Sequence, residues 1–196
     1  MEKQVESESR ETVYDGYFKI YKNKLRHTLF AGGWSESIDR ELFDRGQVAC
    51  VLAYDPALDA VLLVEQFRIG AIDDPDTPWL MEIVAGVVEA GEEPDEVVQR
   101  EALEEAGCTL GEVEQIAEFY VSPGCSSEVA TVFFSECSLK DVGGLHGLAE
   151  EGEDIEARVV PRTEAMRMLT TGEIRNSKAL VALQWLALNY SSRYEN

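Results

Sequence analysis

The sequence predicts an α/β sandwich preceded by a small N-terminal β subdomain. Three observations predict it. Residues 48–54 and 60–67 are continuous apolar runs of strand length, the mark of strands buried on both faces. Downstream, further strand-like runs interleave with helical segments. Before residue 47 the pattern is different: polar and apolar residues alternate, as in half-exposed strands. A chain of 196 residues is long enough for one large domain with a small appendage.

Taken in order, the start MEKQVESESRE is charged, has no apolar core and shows no signal peptide, so residues 1–12 are expected to be a disordered tail. Residues 13–46 are expected to form the N-terminal subdomain. There a β-hairpin over 14–30, with Phe18, Ile20, Leu25 and Leu29 alternating, would turn at Lys22-Asn23-Lys24 and end at Gly32-Gly33. Residues 47–196 make the main domain. Its first two strands are joined through Asp55-Pro56, and a loop with Pro75 and Pro78 leads to a strand over 79–85. A helix follows, with Pro94 in its first turn and Gly107 at its stop. Strands are expected over 113–121 and 129–137, a Gly-rich acidic loop over 139–154 and a short strand over 155–160. The chain closes with helices over 163–169 and 177–188, the second offering Leu180, Leu183, Trp185 and Leu186 to the core.

The formal net charge is −21, which argues against nucleic acid or an anionic membrane as partner and requires any site for a phosphorylated ligand to supply its own cations. The longest apolar stretch, 179–188, is too short to span a bilayer. Cys50, Cys108, Cys125 and Cys137 form no C-x-x-C pair, and His27 and His146 complete no zinc pattern; the expectation is reduced core thiols and a cytoplasmic location.

Chemistry concentrates at 86–108, GVVEAGEEPDEVVQREALEEAGC. On a helix Glu101 and Glu105 share one face with Glu104 beside them, and Val98, Ala102 and Ala106 form the adjoining stripe. Like charges at i,i+4 cost a few tenths of a kcal/mol, and acids in the last turn oppose the helix dipole. A hard divalent cation relieves both conflicts, since carboxylate oxygens suit Mg²⁺ or Mn²⁺. An E-x-x-E-E run alone reads as a solvated face. The spacing G-x5-E-x7-R-E-U-x-E-E-x-G-U (U apolar), met by Gly86, Glu92, Arg100, Glu101, Ala102, Glu104, Glu105, Gly107 and Cys108, is matched by chance with odds on the order of 10⁻⁵.

This stretch resembles the Nudix box of the Nudix hydrolases, with small residues, Ala102 and Cys108, where a larger aliphatic is common. Other segments are similar to the bacterial ADP-ribose pyrophosphatase branch: Glu65-Gln66-Phe67-Arg68, Pro78-Trp79-Leu80-Met81-Glu82, Ser122-Pro123-Gly124 with Ser127-Glu128, and 147–155; Pro123 stands 16 residues after Gly107. The resemblance covers most of the chain from about residue 14. It implies a Nudix α/β/α sandwich with a mixed sheet, and Mg²⁺-dependent (or Mn²⁺-dependent) hydrolysis of ADP-ribose to AMP and ribose 5-phosphate with two or more metals per site. The rivals are a Nudix enzyme for another nucleoside diphosphate sugar, such as GDP-mannose, and a non-catalytic ADP-ribose sensor, which the intact box disfavours.

The resemblance also assigns residues. The metal ligands are Glu101, Glu104, Glu105, Glu153 and the carbonyl of Ala85, with Arg100 positioning a glutamate by ion pairing. From the sequence alone Glu150, Glu151, Glu153 and Asp154 are equal candidates for the general base; the resemblance selects Glu151. It puts Arg68 on the substrate phosphates, Val87 beside the pyrophosphate, and Ser122, Pro123, Gly124 and Glu128 at the ribose. Tyr17, Arg40, Glu41 and Arg45 match residues that reach the nucleotide of a partner subunit, which implies a homodimer with shared active sites.

Overall fold

The computed structural model describes residues 2–148 and 152–194. They form two compact units: the residues up to Gln47 together with Tyr120–Val129, and Val48–Phe119 together with the chain from Ala130 onward. The expected division placed 120–129 with the main domain.

The first unit is built on a three-stranded sheet in the order β1 (Val5–Asp15), β2 (Lys19–His27), β3 (Ile38–Asp44), antiparallel throughout. Two expectations are corrected. The supposed tail is a strand from Val5, because its charged side chains find partners on β2: Arg26 Nη2 lies 2.8 Å from Glu6 Oε2, Lys24 Nζ 3.9 Å from Glu8, and the Arg10 guanidinium of β1 3.6 Å from the Tyr21 ring centroid. Lys22-Asn23-Lys24 is strand rather than turn, since Lys22 also faces Asp39 at 3.4 Å. The hairpin reverses earlier, where Gly16 N donates to Phe18 O at 3.1 Å. The segment 120–129 joins this unit through backbone bonds, Phe43 N to Cys125 O at 2.8 Å and Ser127 N to Phe43 O at 3.0 Å.

The second unit is an α/β/α sandwich. Among the described residues its sheet is eight-stranded and mixed: β10 (Gly144–His146), β11 (Ile155–Pro161), β5 (Ala60–Phe67), β4 (Gln47–Asp55), β9 (Val129–Glu136) and β8 (Val113–Tyr120) in order, with β6 (Trp79–Glu82) on β5 and β7 (Val84–Val88) on β4. The apolar runs of β4 and β5 are buried on both faces, as their composition predicts. Ala49, Val51, Ala53, Leu62 and Val64 face α1 (Pro94–Ala106) with its Val97, Val98, Ala102 and Ala106. Cys50, Leu52, Tyr54, Val61 and Leu63 face α2 (Arg162–Thr171) and α3 (Ser177–Tyr194) through Ala165, Ala179, Ala182, Leu183 and Leu186. Leu180 and Trp185 pack against that second core while partly exposed.

The remaining differences have local causes. The strand expected over 79–85 breaks at Ile83, where the chain leaves β5 and takes β4 as its partner. The acidic loop over 139–154 contains β10, whose Gly144, Leu145 and His146 pair with Ala157, Glu156 and Ile155; a three-residue strand with two exposed members carries no apolar signal. Helix α1 ends at Gly107 in a left-handed conformation (φ 61°), with Gly107 N bonded to Leu103 O and Cys108 N to Ala102 O. No helix among the described residues is long and apolar enough to cross a membrane. Cys50 and Cys108 are buried, as expected for core thiols, whereas Cys125 is exposed and Cys137 partly so.

The β4–β5 turn rests on a buried acid. Asp55, 4 % exposed, accepts from Ala57 N (2.8 Å), Leu58 N (3.2 Å) and Leu139 N (2.8 Å), so it ties the turn to the chain beyond β9. These amides, led by that of Leu139, hold its carboxyl below its ordinary value of 3.8. A carboxylate whose pKa falls on folding stabilises the fold above its unfolded pKa and loses that contribution on acidification. Urea unfolding of Asp55→Ala at neutral pH should therefore show a loss of about 2–4 kcal/mol relative to wild type, narrowing as the pH falls below about 4.

Candidate active site

The box residues converge because α1 lies unusually close to β7. A Cβ on Gly86 would stand 2.2 Å from Glu101 Oε1 and 2.4 Å from its Cγ, so a larger residue there would force the Glu101 side chain to turn away or the helix to withdraw. Docking carries Glu105 beneath the strand, 3 % exposed, where its Oε2 accepts from Ala85 N at 3.1 Å. Arg100 holds the outer side: its Nη1 is 2.8 Å from Glu101 Oε1 and 3.2 Å from Glu104 Oε2, and its Nη2 is 3.6 Å from Glu92. Glu92 also closes the preceding loop by accepting from Glu89 N at 3.0 Å.

Burial dominates the electrostatics. It pushes the Glu105 carboxyl up to about 8, against the opposing hydrogen bond from Ala85, and the charges of Glu101 and Glu153 add to the rise. Burial raises Glu101 too, with Glu104 and Glu153 contributing, while Arg100 pulls it down. Glu153 therefore stands within electrostatic reach of the helix acids although 48 residues separate it from Glu105. Its place is fixed at the stem of the acidic loop, where Glu153 N donates to Leu148 O at 3.1 Å and Leu148 N to Glu153 Oε2 at 3.4 Å.

Arg68, just past the end of β5, meets the same group: burial opposes its charge, but the hydrogen bond to Glu82 and the charges of Glu82, Glu105 and Glu153 outweigh it and raise its pKa. Its guanidinium is forked onto Glu82, Nε to Oε1 at 3.1 Å and Nη2 to Oε2 at 2.9 Å. The sequence reading gave Glu82 no role. A lone acid inside the apolar run 79–85 was the signal for it, because a buried carboxylate requires a cationic partner. Val87, on β7, is half-buried.

The donor set fits a hard divalent cation. Glu101 and Glu105, with raised affinity for a proton, are short of positive charge, and oxygen ligands suit Mg²⁺ or Mn²⁺. Among the described residues no three acidic, histidine or cysteine side chains already enclose a metal position; Glu101 and Glu104 are turned onto Arg100 and Glu105 onto the Ala85 amide. Glu101, Glu104, Glu105, Glu153 and the carbonyl of Ala85 are thus present in one unit. Glu151, the expected base, lies outside the described residues, as does Glu150.

The other candidates belong to the first unit. Tyr17 is 90 % exposed at the β1–β2 turn, edge-on to Phe18, whose ring lies 5.0 Å from the Arg45 guanidinium. Arg40 and Glu41 are exposed on β3; Arg40 Nη1 donates to Asp39 O. Ser122, Pro123 and Gly124 form an exposed turn closed by Ser126 N to Ser122 O at 2.9 Å, and Glu128 N donates to Ser126 Oγ at 3.1 Å. Ser127 Oγ joins the two sets, accepting from Arg45 N at 3.0 Å and donating to Asp44 at 2.6 Å. Residues 82 apart in sequence are thereby held in one unit.

Comparison with known proteins places the chain in a family. A model of the NUDIX domain matches residues 44–183. The chain is 43% identical to an ADP-ribose pyrophosphatase of Escherichia coli (strain K12) over 188 residues, 96% of this chain and 90% of that protein. It is 43% identical to an ADP-ribose pyrophosphatase of Haemophilus influenzae over 190 residues, 95% and 88%. A GDP-mannose pyrophosphatase of Citrobacter koseri is 36% identical over 148 residues, 75% of this chain and 76% of that protein. In structure, the chain is similar to an ADP compounds hydrolase with a TM-score of 0.70 over 98% of this chain and 97% of that one, at 14% identity, a likeness of fold.

The raised Glu105 pKa has a measurable sign. Between its ordinary value of 4.5 and about 8 the folded protein binds a proton that the unfolded chain has lost, so stability contributed by this group falls as pH rises through that window. With metal chelated, the melting temperature of wild type should drop more than that of Glu105→Gln between about pH 5 and pH 8.5. Equal slopes would show that Glu105 is ionised in the fold throughout.

Proposed function

The chain belongs to the NUDIX family, and from that premise we propose that it hydrolyses the pyrophosphate bond of ADP-ribose, giving AMP and ribose 5-phosphate, with Mg²⁺ as cofactor, Mn²⁺ as a substitute, and two or more metals per site. The observation that carries this reading is the carboxylate group of α1 against β7, with Glu105 buried under Ala85, in a chain that shares 43% identity with ADP-ribose pyrophosphatases over nearly its whole length.

In the reaction a water oxygen bonds to one phosphorus, the bridging P–O bond breaks and the departing phosphate takes up the electron pair. A divalent cation bound at such a site neutralises pyrophosphate charge and makes a water more acidic. The protein's own residues do the rest. Glu101, Glu104, Glu105, Glu153 and the Ala85 carbonyl supply oxygen ligands, and Arg100 holds Glu101 and Glu104 in place from outside. Arg68 meets the substrate phosphates beside Val87, with a planar fork suited to phosphate oxygens. Glu151 accepts the proton of the attacking water. The reading includes a homodimer in which Tyr17, Arg40, Glu41 and Arg45 reach the nucleotide in a partner's site, while Ser122, Pro123, Gly124 and Glu128 contact the ribose. Its place is the cytoplasm.

A hydrolysis panel tests the substrate. ADP-ribose should be cleaved to AMP and ribose 5-phosphate with a higher kcat/KM than GDP-mannose and other nucleoside diphosphate sugars; the GDP-mannose pyrophosphatase relatives make that comparison the informative one. Chelation should abolish turnover, and Glu105→Gln should lower kcat by at least about 100-fold with the fold retained, since metal-assisted charge stabilisation is worth several kcal/mol. Wild-type kcat in Glu105→Gln at saturating Mg²⁺ would remove this side chain from the metal site.

A mixing experiment tests the shared site. Subunits carrying Arg40→Ala are combined with subunits carrying Glu105→Gln. If sites draw on both chains, each heterodimer has one site with both defects and one with neither, so activity at low ADP-ribose exceeds the sum of the parents. Subunit exchange without that rise sinks the shared site.

A further inference from the structure

Glu82 is a buried carboxylate that the reaction as described leaves without work. It ends β6, opposite Val64 of β5, and is 3 % exposed among Ile83, Met81 and the β5 core. An apolar residue would suit that position better, because a buried ion pair usually adds little or no net stability compared with a hydrophobic pair of similar size. Both its oxygens are engaged by one partner, Arg68, through Nε and Nη2. Both oxygens thus face Arg68, and the role argued for Glu82 passes through that arginine.

Arg68 has reason to need holding. Besides Glu82, the charges of Glu105 and Glu153 act on it. Unrestrained, a guanidinium on a flexible stem would settle on those carboxylates, block the donors that the metal requires, and turn its own N–H groups away from an incoming phosphate. The fork prevents this. It fixes the guanidinium plane by one edge and uses two of five donors, while Nη1 has no hydrogen-bond partner among the described residues. A second tie sets the backbone, with Arg68 N donating to Pro78 O at 2.9 Å, so the β5 end and the start of β6 move as one piece.

We propose that Glu82 is the positioning residue of this site: it clamps Arg68 by one guanidinium edge so that the other edge is presented to the substrate's phosphate oxygens and kept off the metal-binding carboxylates. The inference rests on the reading of Arg68 as a substrate contact, and it adds a residue to which the family resemblance assigns no role.

The test is a double-mutant cycle on Glu82 and Arg68, read in KM for ADP-ribose, kcat and melting temperature. Glu82→Gln in the wild-type background should raise KM by about tenfold with kcat at saturation changed by less than about threefold, the pattern of a lost binding contact. In the Arg68→Ala background the same change should leave KM where Arg68→Ala put it and raise the melting temperature, because it removes a buried charge left without its partner. A merely structural Glu82 would lower the melting temperature without moving KM, and that outcome overturns the proposal. So does an equal KM increase in both backgrounds, which would mean that Glu82 acts without Arg68. If Arg68→Ala itself leaves KM unchanged, the assignment of Arg68 to the substrate falls, and the proposal with it. Should Glu82→Gln not fold, Glu82→Asp is read in its place: it keeps the charge but shortens the reach, and KM should rise in the wild-type background alone.

Discussion

The site depends on one close approach, that of α1 to β7 at Gly86. With a Cβ there, the helix would have to withdraw or Glu101 turn away, because the added atom would overlap Glu101 Oε1 and Cγ. Several features follow from this contact. Glu105 passes under the strand and is caught by the Ala85 amide, Glu101 sits at the strand surface, and Arg100 and Glu104 remain on the outer side. The helix itself is electrostatically poor, with no basic residue in its last turn. It is held by its other face, where Val97, Val98, Ala102 and Ala106 are buried against β4 and β5. Tertiary burial fixes a helix whose acids would destabilise it in isolation.

Charge is the second constraint. In a chain of net charge −21 the general field repels a dinucleotide, and binding falls to a few placed cations. The same field threatens those cations, since Arg68, Arg100, Arg158, Arg162, Arg167, Arg175 and Arg193 of the second unit each stand against a carboxylate. The second unit answers by tethering. Arg100 is held among Glu92, Glu101 and Glu104, and Arg68 on Glu82. A tethered arginine loses some of its pull on an anion but keeps its geometry, and bidentate contact with phosphate depends on geometry.

Much of this was legible in the sequence, and the parts that were not share a cause. The runs of β4 and β5 and the amphipathic stripe of α1 announced themselves through apolar periodicity, and Pro94 and Gly107 bounded the helix. β1 has every residue exposed and is held by pairs such as Glu6 with Arg26, so no hydrophobic pattern records it. Lys22-Asn23-Lys24 has the composition of a turn and the partners of a strand. The change of partner at Ile83 is a property of the sheet, invisible in a run that is apolar on both sides of the break. Within the site, the box acids could be read from spacing, since α1 alone orders them. The forked pair of Arg68 and Glu82 joins two strands, and only their register brings it together.

The two sources of carboxylates differ in how they are held. Glu101 and Glu105 stand on a helix whose backbone is fixed by its packing against the sheet. Glu153 comes from the approach to β11, and what fixes it is the reciprocal bond with Leu148 that closes the stem of the acidic loop. Glu151 lies between those two anchors in sequence. A metal ligand must keep its place through the whole cycle, whereas a base must meet the attacking water and then give up its proton. In the proposed reaction the helix and the loop stem serve the first requirement. The second falls to Glu151, and the residues that flank it in the sequence, Leu148 and Glu153, are bonded to each other.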